Sequence, residues 1–303
     1  MGWASAGPWS WRAAVFWGRR RWPSGGRSDH DWSAPTGPAM IGPPTFAWEE
    51  PMTWWRRPPE GPARIVAHRG ASGYVPENTL LAFQRAYELG ADAIECDVHL
   101  SADGQPVVIH DRTLDRTTSG RGPVSALTVA ELRMLDAGAW RGPEFAGLRL
   151  PTLAEVLDWA RGRLPVVIEL KSDPPHDRAL PGAVWAVLRE TAMEDRCLVI
   201  SFAPDLLRAF RAAGGESPIG LLGMRPDPDL IAGARDLGAV MALPYVGLVD
   251  ERLVARAKAA GLGLGVWTVN DPETAQRLDR LGVDAITTDY PDRLRAALRA
   301  GVR

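Results

Sequence analysis

The sequence predicts an α/β protein with a closed (β/α)8 barrel, the TIM-barrel fold, and two observations carry this prediction. From residue 64 onward, short runs of β-branched residues alternate regularly with amphipathic helical stretches. Eight such strand–helix units follow one another within about 240 residues, a usual length for this kind of barrel. Strict alternation of strands and helices indicates a parallel sheet. A doubly wound open sheet is the alternative interpretation of the same pattern.

The strands are predicted where apolar and β-branched residues run together between turn signals. In chain order these runs are 64–67, 93–98, 166–170, 198–201, 219–222, 240–243, 263–268 and 285–288. The helices are predicted where apolar residues recur every three or four positions, because this spacing gives each helix one face for the sheet. These stretches are 79–89, 153–161, 183–191, 205–213, 230–237, 251–260, 272–281 and 291–300.

A small insertion, about residues 101–150, interrupts the alternation between the second strand and the second helix. It is too long for an ordinary connection. Its first residues, Ser-Ala-Asp-Gly at 101–104, are a turn signal between two extended runs. We therefore expect 106–109 to fold back beside the second strand. The remainder is expected to lie at the C-terminal end of the barrel, where the active sites of such barrels are found.

Residues 1–60 differ in composition from the barrel region, 61–303. They hold nine of the 13 tryptophans and the cluster Arg19-Arg20-Arg21, without hydrophobic periodicity. We expect either a disordered Trp/Pro/Arg-rich arm, which could touch a membrane surface, or a misassigned start upstream of Met40 or Met52. The apolar runs are too short for a signal peptide or a membrane span. A cytoplasmic location without a transmembrane segment is therefore expected.

The charge balance argues against a nucleic-acid partner and favours a small-molecule ligand. The chain has 35 Lys+Arg against 37 Asp+Glu, a net charge of −2. Nucleic-acid binders normally show a basic excess. Lysine is rare here, since only Lys171 and Lys258 occur. A lysine next to a predicted strand end is therefore conspicuous.

Three acidic residues mark the ends of two neighbouring strands. Glu95 and Asp97 are two apart in the second strand, so both turn to the barrel mouth. Glu169 has the matching position at the end of the next strand. Crowded carboxylates repel one another unless a cation joins them, and hard oxygen ligands suit Mg²⁺ or Ca²⁺. The alternative is that these acids pair with arginines in a polar mouth.

Two histidines are predicted to reach the same mouth. His68 closes the first strand and precedes Arg69, whose guanidinium can hold a phosphate group through two parallel hydrogen bonds. His110 ends the folded-back run. Phosphodiester hydrolysis needs one group to accept a proton and another to donate one, and two histidines can divide that work. The sequence leaves open which histidine is the acid and which is the base.

Two further residues are candidates for substrate contact. Lys171 faces the same way as Glu169 and is expected to contact a phosphate oxygen or the carboxylates, the alternative being a solvated loop lysine. Trp267 ends the seventh strand. An aromatic ring there could form an apolar wall for a polyol or alkyl group, or serve packing alone.

Supporting roles are predicted for residues beside these groups. Glu77 is expected to orient Arg69 or a histidine, and Asn78 either supports the site or caps the following helix. Asp111, directly after His110, is the third supporting residue. Gly70 is expected to let the backbone approach a ligand closely. His99 is left out of the site, because it lies past the predicted strand end.

In combination these motifs resemble the glycerophosphodiester phosphodiesterase family over about residues 64–295. They are, in order, His68-Arg69-Gly70, Pro76-Glu77-Asn78-Thr79, Glu95-x-Asp97, Asp103-Gly104, His110-Asp111, Leu114-x-Arg116-Thr117-Thr118, Glu169-x-Lys171, Trp267-Thr268-Val269-Asn270 and Thr288-Asp289-x-Pro291. The resemblance implies a TIM barrel with an inserted subdomain. It also implies hydrolysis of glycerophosphodiesters to glycerol 3-phosphate and an alcohol.

The resemblance further assigns roles to individual residues. It implies a divalent cation, Mg²⁺ or Ca²⁺, on Glu95, Asp97 and Glu169. His68 and His110 match the general acid and base, whereas Arg69 and Lys171 match phosphate-contacting positions. Two rival functions remain, a related barrel enzyme acting on lysophospholipids and a barrel that binds a ligand without catalysis.

Overall fold

The computed structural model describes residues 53–175, 177–224 and 230–300. Most of the predicted arm, including Met40 and Met52, lies outside the described residues. The strands are β1 (Arg64–Ala67), β2 (Ala93–Leu100), β3 (Pro106–Val108), β4 (Val166–Leu170), β5 (Cys197–Ser201), β6 (Ile219–Gly223), β7 (Met241–Pro244), β8 (Gly263–Val266) and β9 (Ala285–Thr288). The helices are α1 (Leu80–Glu88), α2 (Val129–Leu132), α3 (Leu153–Ala160), α4 (Leu180–Thr191), α5 (Pro204–Ala212), α6 (Leu230–Asp236), α7 (Glu251–Ala259), α8 (Pro272–Leu281) and α9 (Pro291–Ala300).

Eight of the strands in the described ranges form a closed parallel barrel. Their order is β1-β9-β8-β7-β6-β5-β4-β2, and a further pairing of β1 with β2 closes the ring. The TIM-barrel prediction is therefore confirmed. The doubly wound alternative is wrong, because the two edge strands of an open sheet each have one neighbour, whereas here every barrel strand pairs on both sides. In this register Asp97 of β2 lies opposite Glu169 of β4.

The insertion begins as predicted, with a hairpin. Strand β3 pairs antiparallel with β2, and His99 faces Val107 in this pairing. The subdomain that follows has a small core of its own, formed by Val107, Ile109, Leu114, Val124, Leu132, Ala137 and Leu150. Since the hairpin extends from the C-terminal end of β2, the insertion lies beside the barrel mouth.

Alternation along the strands separates two apolar layers. Outward-facing residues such as Ile65, Ile94 and Ile168 pack under the helices. Inward-facing residues such as Val66 and Val167 fill the barrel. This period-2 pattern is the one a half-buried strand shows, so the same parity that places valines inside the barrel also turns the site residues inward.

The N-terminal end of the barrel is closed by Trp54 and Trp55. Their side chains are 3% and 5% exposed and belong to the inner layer. Their rings meet edge to face at 5.8 Å. Arg57 holds this segment from outside, because its Nη1 donates to Asp279 O at 2.9 Å and its backbone N–H to Asp284 Oδ1 at 3.3 Å. Residues 53–60, which the sequence prediction assigns to the arm, thus pack against the barrel.

Candidate active site

Three buried carboxylates meet at the C-terminal ends of β2 and β4. One oxygen from each of Glu95, Asp97 and Glu169 lies within 4.8 Å of the others. Burial, together with Asp97 and Glu169, raises the pKa of Glu95 well above its usual range. Burial, opposed by Lys171, raises the pKa of Glu169 to about 7. Both shifts have burial as their main cause, and mutual repulsion of the carboxylates adds to it.

The donor set fits a hard divalent cation. The three residues offer carboxylate oxygens, which are the ligands that Mg²⁺ and Ca²⁺ prefer. They are 4%, 1% and 8% exposed, so little water reaches them. Because isolated buried charges are costly, a cation shared by all three carboxylates would stabilise the site.

Two cationic side chains already contact the carboxylates. Lys171 Nζ lies 2.9 Å from Asp97 Oδ1 and 2.7 Å from Glu169 Oε1, while Arg69 Nε lies 3.2 Å from Asp97 Oδ2. Burial alone would raise the pKa of Asp97, but Lys171 and Arg69 outweigh it and hold this pKa below its usual range. The alternative considered for these acids, pairing with arginine, is thus found for Asp97, which forms an ion pair with Arg69.

A left-handed turn after β1 brings the backbone to the site. Arg69 has a φ of 55°, and its N–H donates to Glu95 Oε2 at 2.9 Å. Gly70 follows with a φ of 81°, and a Cβ there would lie 2.5 Å from the carbonyl carbon of Ala82 in α1. Glycine is therefore required here for contact with the helix, a role that differs from the predicted approach to a ligand.

His68 is held by an acid that the sequence analysis did not assign to the site. Its Nδ1 lies 2.7 Å from Asp289 Oδ1. Asp289 also accepts hydrogen bonds from Ser72 Oγ and Asn270 Nδ2, at 2.9 and 2.6 Å. Burial would raise the pKa of Asp289, but the contact with His68 outweighs it, so the pKa is lowered. An ionised Asp289 accepts a hydrogen bond from the Nδ1–H group of His68, which leaves Nε2 of the ring for a ligand in the cavity.

His110 shows the same arrangement. Its Nδ1 lies 2.6 Å from Asp111 Oδ1. Arg116 Nε donates to Asp111 Oδ2 at 2.7 Å, and the hydrogen bond from Arg116 lowers the pKa of Asp111. Burial, together with the charges of Lys171 and Arg69, lowers the pKa of His110. These effects outweigh those of Asp97 and of the hydrogen bond to Asp111, so the neutral form of the His110 ring is favoured.

Arg116 links the two halves of the site. Its Nη1 donates to Glu77 Oε2 at 2.8 Å, and Glu77 Oε1 accepts from Arg69 Nη1 at 2.9 Å. A continuous chain of ion pairs therefore runs from His110 through Asp111, Arg116 and Glu77 to Arg69. No role is predicted for Arg116 from sequence, and its place inside one of the resemblance motifs was the available signal.

In the turn before α1, Asn78 contacts the carboxylate triad and Thr79 caps the helix. Asn78 Nδ2 donates to Asp97 Oδ2 at 2.8 Å. Thr79 is the N-cap of α1, since its hydroxyl accepts from the backbone N–H of Ala82. Of the two alternatives for Asn78, the structure thus shows contact with the carboxylate triad.

Aromatic rings form one wall of the mouth. The indole Nε1 of Trp267 donates to Leu243 O at 2.8 Å, which fixes the ring. Phe202 and Tyr245 meet Trp267 edge to face at 5.3 and 5.7 Å, and both are partly exposed. Phe202 and Tyr245 follow β5 and β7 as Trp267 follows β8, so their position at a strand end was a signal that the sequence prediction used for Trp267 alone.

All the residues predicted to touch substrate line one cavity of about 210 Å³, with Asp97 lying directly behind it. The cavity contains His68, Arg69, Glu95, His110, Glu169, Lys171 and Trp267. The structure therefore brings the predicted site together. The catalytic role of each residue stays a prediction.

A closed (β/α)8 barrel with a carboxylate triad and two carboxylate-bound histidines at its mouth defines a class of barrel hydrolases. Comparison with known proteins gives the family. Residues 68–293 match the model of the Glycerophosphoryl diester phosphodiesterase family. The chain belongs to this family and is a phosphoric diester hydrolase.

Individual relatives agree with this assignment. A glycerophosphodiester phosphodiesterase of Caldanaerobacter subterraneus subsp. tengcongensis is 40% identical over 238 residues, 78% of this chain and 98% of the relative. A solved Oleispira antarctica phosphodiesterase, in complex with the product sn-glycerol-3-phosphate, has a TM-score of 0.75 at 32% identity and covers 78% of this chain and 97% of its own. The Agrobacterium tumefaciens glycerophosphodiester phosphodiesterase has a TM-score of 0.70 at 32% identity, covering 77% and 99%.

Within the described ranges, every helix is too short or too polar to cross a bilayer.

Proposed function

We propose that the protein hydrolyses glycerophosphodiesters to glycerol 3-phosphate and an alcohol, with one divalent cation, Mg²⁺ or Ca²⁺, on Glu95, Asp97 and Glu169. The observation that carries this proposal is the buried carboxylate triad, within 4.8 Å, flanked by two histidines in one cavity. The Oleispira antarctica relative in complex with sn-glycerol-3-phosphate supports the choice of product.

The substrate's phosphate would lie between the cationic side chains and the carboxylate triad. Arg69 can present two N–H groups to phosphate oxygens, and Lys171 adds a point charge beside them. Both are held in place before substrate arrives, Arg69 by Glu77 and Lys171 by Asp97 and Glu169. Donors fixed in advance stabilise the charge that develops in the transition state. The cation, when bound, supplies further stabilisation of that charge.

The histidines would move the protons. One of them takes a proton from the nucleophile, which is water or the 2-hydroxyl of glycerol; attack by the 2-hydroxyl forms a cyclic phosphate, which water then opens to glycerol 3-phosphate. The other gives a proton to the departing alcohol oxygen. Because each ring has Nδ1 on a carboxylate, at 2.7 Å for His68 and 2.6 Å for His110, both present Nε2 to the reacting atoms. Such fixed acid–base groups each contribute typically ~10²–10⁴-fold to rate.

The alternative substrate is a lysophospholipid, cleaved to release its headgroup alcohol. Exposed apolar side chains at the rim of the cavity favour it, since Phe202, Met224 and Tyr245 are 40%, 60% and 42% exposed. These side chains could contact an acyl chain that extends out of the mouth.

An assay of product release separates the two substrates. Glycerophosphocholine, glycerophosphoethanolamine, glycerophosphoglycerol and lysophosphatidylcholine are each incubated with the protein in EDTA, in Mg²⁺ and in Ca²⁺. We expect glycerol 3-phosphate from the three deacylated diesters, lost in EDTA and restored by the cation. Choline release from lysophosphatidylcholine alone would instead establish the alternative.

Two further properties concern the location of the protein in the cell and the segment before the barrel. We propose a cytoplasmic protein in which the Trp/Pro/Arg-rich segment before the barrel is either an arm or the product of a misassigned start. Fractionation of the native cells tests the location. The intact mass of the native protein tests the start, because a mass matching all 303 residues would exclude a start at Met40 or Met52.

A further inference from the structure

The cavity at the mouth continues down the barrel axis. Its upper part is charged and contains His68, Arg69 and Lys171. Below them the walls are mostly apolar, formed by Val66, Val167, Leu198, Ile200, Leu222 and Leu243 with Thr287 among them, and the floor is the pair Trp54 and Trp55 beside Arg64, whose Nε donates to Arg56 O at 3.1 Å. One continuous space therefore joins a phosphate-binding end to an apolar chamber.

The chamber exists because several inward positions carry small residues. The interior of a TIM barrel is usually filled by layers of bulky branched side chains. Here Gly265 and Ala285 line the cavity instead. The tryptophans enter from the chain before β1 and fill the end of the barrel that these strands leave open. Their rings, and not the strands, thus decide where the cavity ends.

This floor is outside the part of the chain that the family model matches. That match covers residues 68–293, whereas the tryptophans precede β1. The floor is also anchored to the barrel, because Arg56 Nη2 donates to Gly261 O at 2.6 Å and Arg57 Nη1 to Asp279 O at 2.9 Å. A rigid floor can limit the length of a ligand.

We propose that Trp54 and Trp55 set the depth of the substrate cavity, and that the chamber above them receives a compact alkyl or aryl group esterified to the phosphate. This inference rests on the proposed function, since it places the substrate's phosphate at the charged end. An apolar cavity of about 150 Å³ holds one benzene molecule. A cavity of about 210 Å³ that also takes the phosphate accommodates an apolar group of about six carbons.

Binding of n-alkyl phosphates tests the chamber without turnover. Methyl, butyl, hexyl, octyl and decyl phosphate are titrated into the Mg²⁺-loaded protein by calorimetry, each below the concentration at which it forms micelles. We expect affinity to rise by about twofold to fourfold per methylene as far as the hexyl ester, and to stop rising or fall beyond it. An affinity that does not change with chain length would overturn the proposal.

Variants of the floor and the wall test the role of the tryptophans. Trp55→Ala should move the tightest-binding ester from hexyl to octyl or decyl, because the chamber becomes deeper. Leu222→Phe should move it toward butyl, because a wall residue becomes larger, and this variant keeps the floor intact if Trp55→Ala does not fold. The matched control is Trp185→Ala, since Trp185 packs against Phe210 away from the cavity. An unchanged optimum in Leu222→Phe and in any folded Trp55→Ala protein contradicts the proposal.

The alkyl phosphates also separate this inference from the proposed function. A protein that releases no glycerol 3-phosphate but prefers hexyl phosphate would contradict the proposed reaction and support the chamber. A protein that hydrolyses glycerophosphodiesters but binds all alkyl phosphates equally would contradict the chamber alone.

Discussion

The two ends of the barrel are built from opposite kinds of side chain. The C-terminal mouth crowds Glu95, Asp97 and Glu169 against Arg69 and Lys171. The N-terminal end is closed by two tryptophans whose contacts with the barrel interior are apolar. The mouth is held by ion pairs. The protein thus separates its candidate catalytic groups, at one end of the barrel, from the buried tryptophans that close the other end.

The difference between the two ends of the barrel has an energetic reason. Like charges in a buried site destabilise the protein that holds them, and functional sites are commonly built at such a cost. Apolar burial at the opposite end contributes stability without touching the reacting groups, with about 25 cal/mol for each Å² removed from water. Changes at the mouth should therefore alter the rate of hydrolysis, whereas changes at the floor should alter stability and the length of the ligand that fits.

The largest expected effect is at the mouth. His68→Ala and His110→Ala should each lower kcat by about 10²–10⁴-fold, because a positioned acid or base is removed. Stability should change little, since these side chains are 20% and 32% exposed. Steady-state kinetics and thermal unfolding check both expectations. Near-wild-type rates in both variants would remove the histidines from the mechanism.

The floor should show the reverse pattern. Trp54→Ala should lower the free energy of unfolding by about 3–5 kcal/mol, the usual loss for a buried tryptophan. Urea unfolding in EDTA measures it without a contribution from bound metal. Trp140→Ala is the control, because Trp140 is 37% exposed in the insertion and should cost about 1 kcal/mol or less. Equal losses in the two variants would mean that the floor has no special part in stability.

A smaller effect is expected from Asn78, which contacts the triad without belonging to it. Asn78→Ala removes the hydrogen bond to Asp97 Oδ2 and should lower cation affinity by about 10–100-fold. Calorimetric titration with Mg²⁺ measures this affinity. Gln84→Ala serves as the control, because Gln84 lies on α1 and contacts Glu88 and Trp159 instead. An unchanged affinity in Asn78→Ala would show that Asp97 needs no such orientation.

The smallest effect concerns pH. Burial raises the pKa of Glu169 from 4.5 to about 7, so below about pH 7 a cation must displace a proton from this group. Cation affinity should fall by about tenfold per pH unit below pH 7 for the proton on Glu169 alone, and more steeply because the raised pKa of Glu95 brings in a second proton. Titration in buffers of different ionisation enthalpy counts the protons released, and equal affinity at pH 6 and 8 would contradict this account.

In the absence of the cation, stability depends on pH in the opposite direction to cation affinity: it falls as the pH rises. Because the folded protein holds this proton more tightly than the unfolded chain, the contribution of Glu169 to the free energy of unfolding falls as pH rises from about 4.5 through about 7. Comparing Glu169→Gln with the wild-type chain across this range in EDTA isolates the effect. A difference between the two that does not vary with pH would refute the raised pKa.

Much of the barrel could be predicted because its signals are local. Periodicity located all eight barrel strands to within two residues at either end. Strand β2 is longer than predicted, ending at Leu100 and not at Val98, because β3 pairs with its last residues. His99 therefore lies inside the strand, with Nε2 3.1 Å from His110 O. Helix α4 begins three residues early, at Leu180, because Pro181 is tolerated in a first turn.

The carboxylates and the lysine of the site were predictable because parity along a strand decided where they point. Glu95, Asp97, Glu169 and Lys171 share one face by alternation. Asp289 lies 221 residues from His68, and Arg116 lies 39 residues from Glu77. Such distant pairs have no local pattern, and neither do Trp54 and Trp55, which enter the barrel from a segment without periodicity. Their places depend on how the chain closes in three dimensions.

Glycerol 3-phosphate release by EDTA-treated protein during titration with Mg²⁺ tests directly whether the carboxylate triad binds one cation on which hydrolysis depends. We expect no release before Mg²⁺ is added, a rate that saturates with one ion bound per chain, and no recovery in Asp97→Asn. Full activity of the wild-type protein in EDTA would contradict the account.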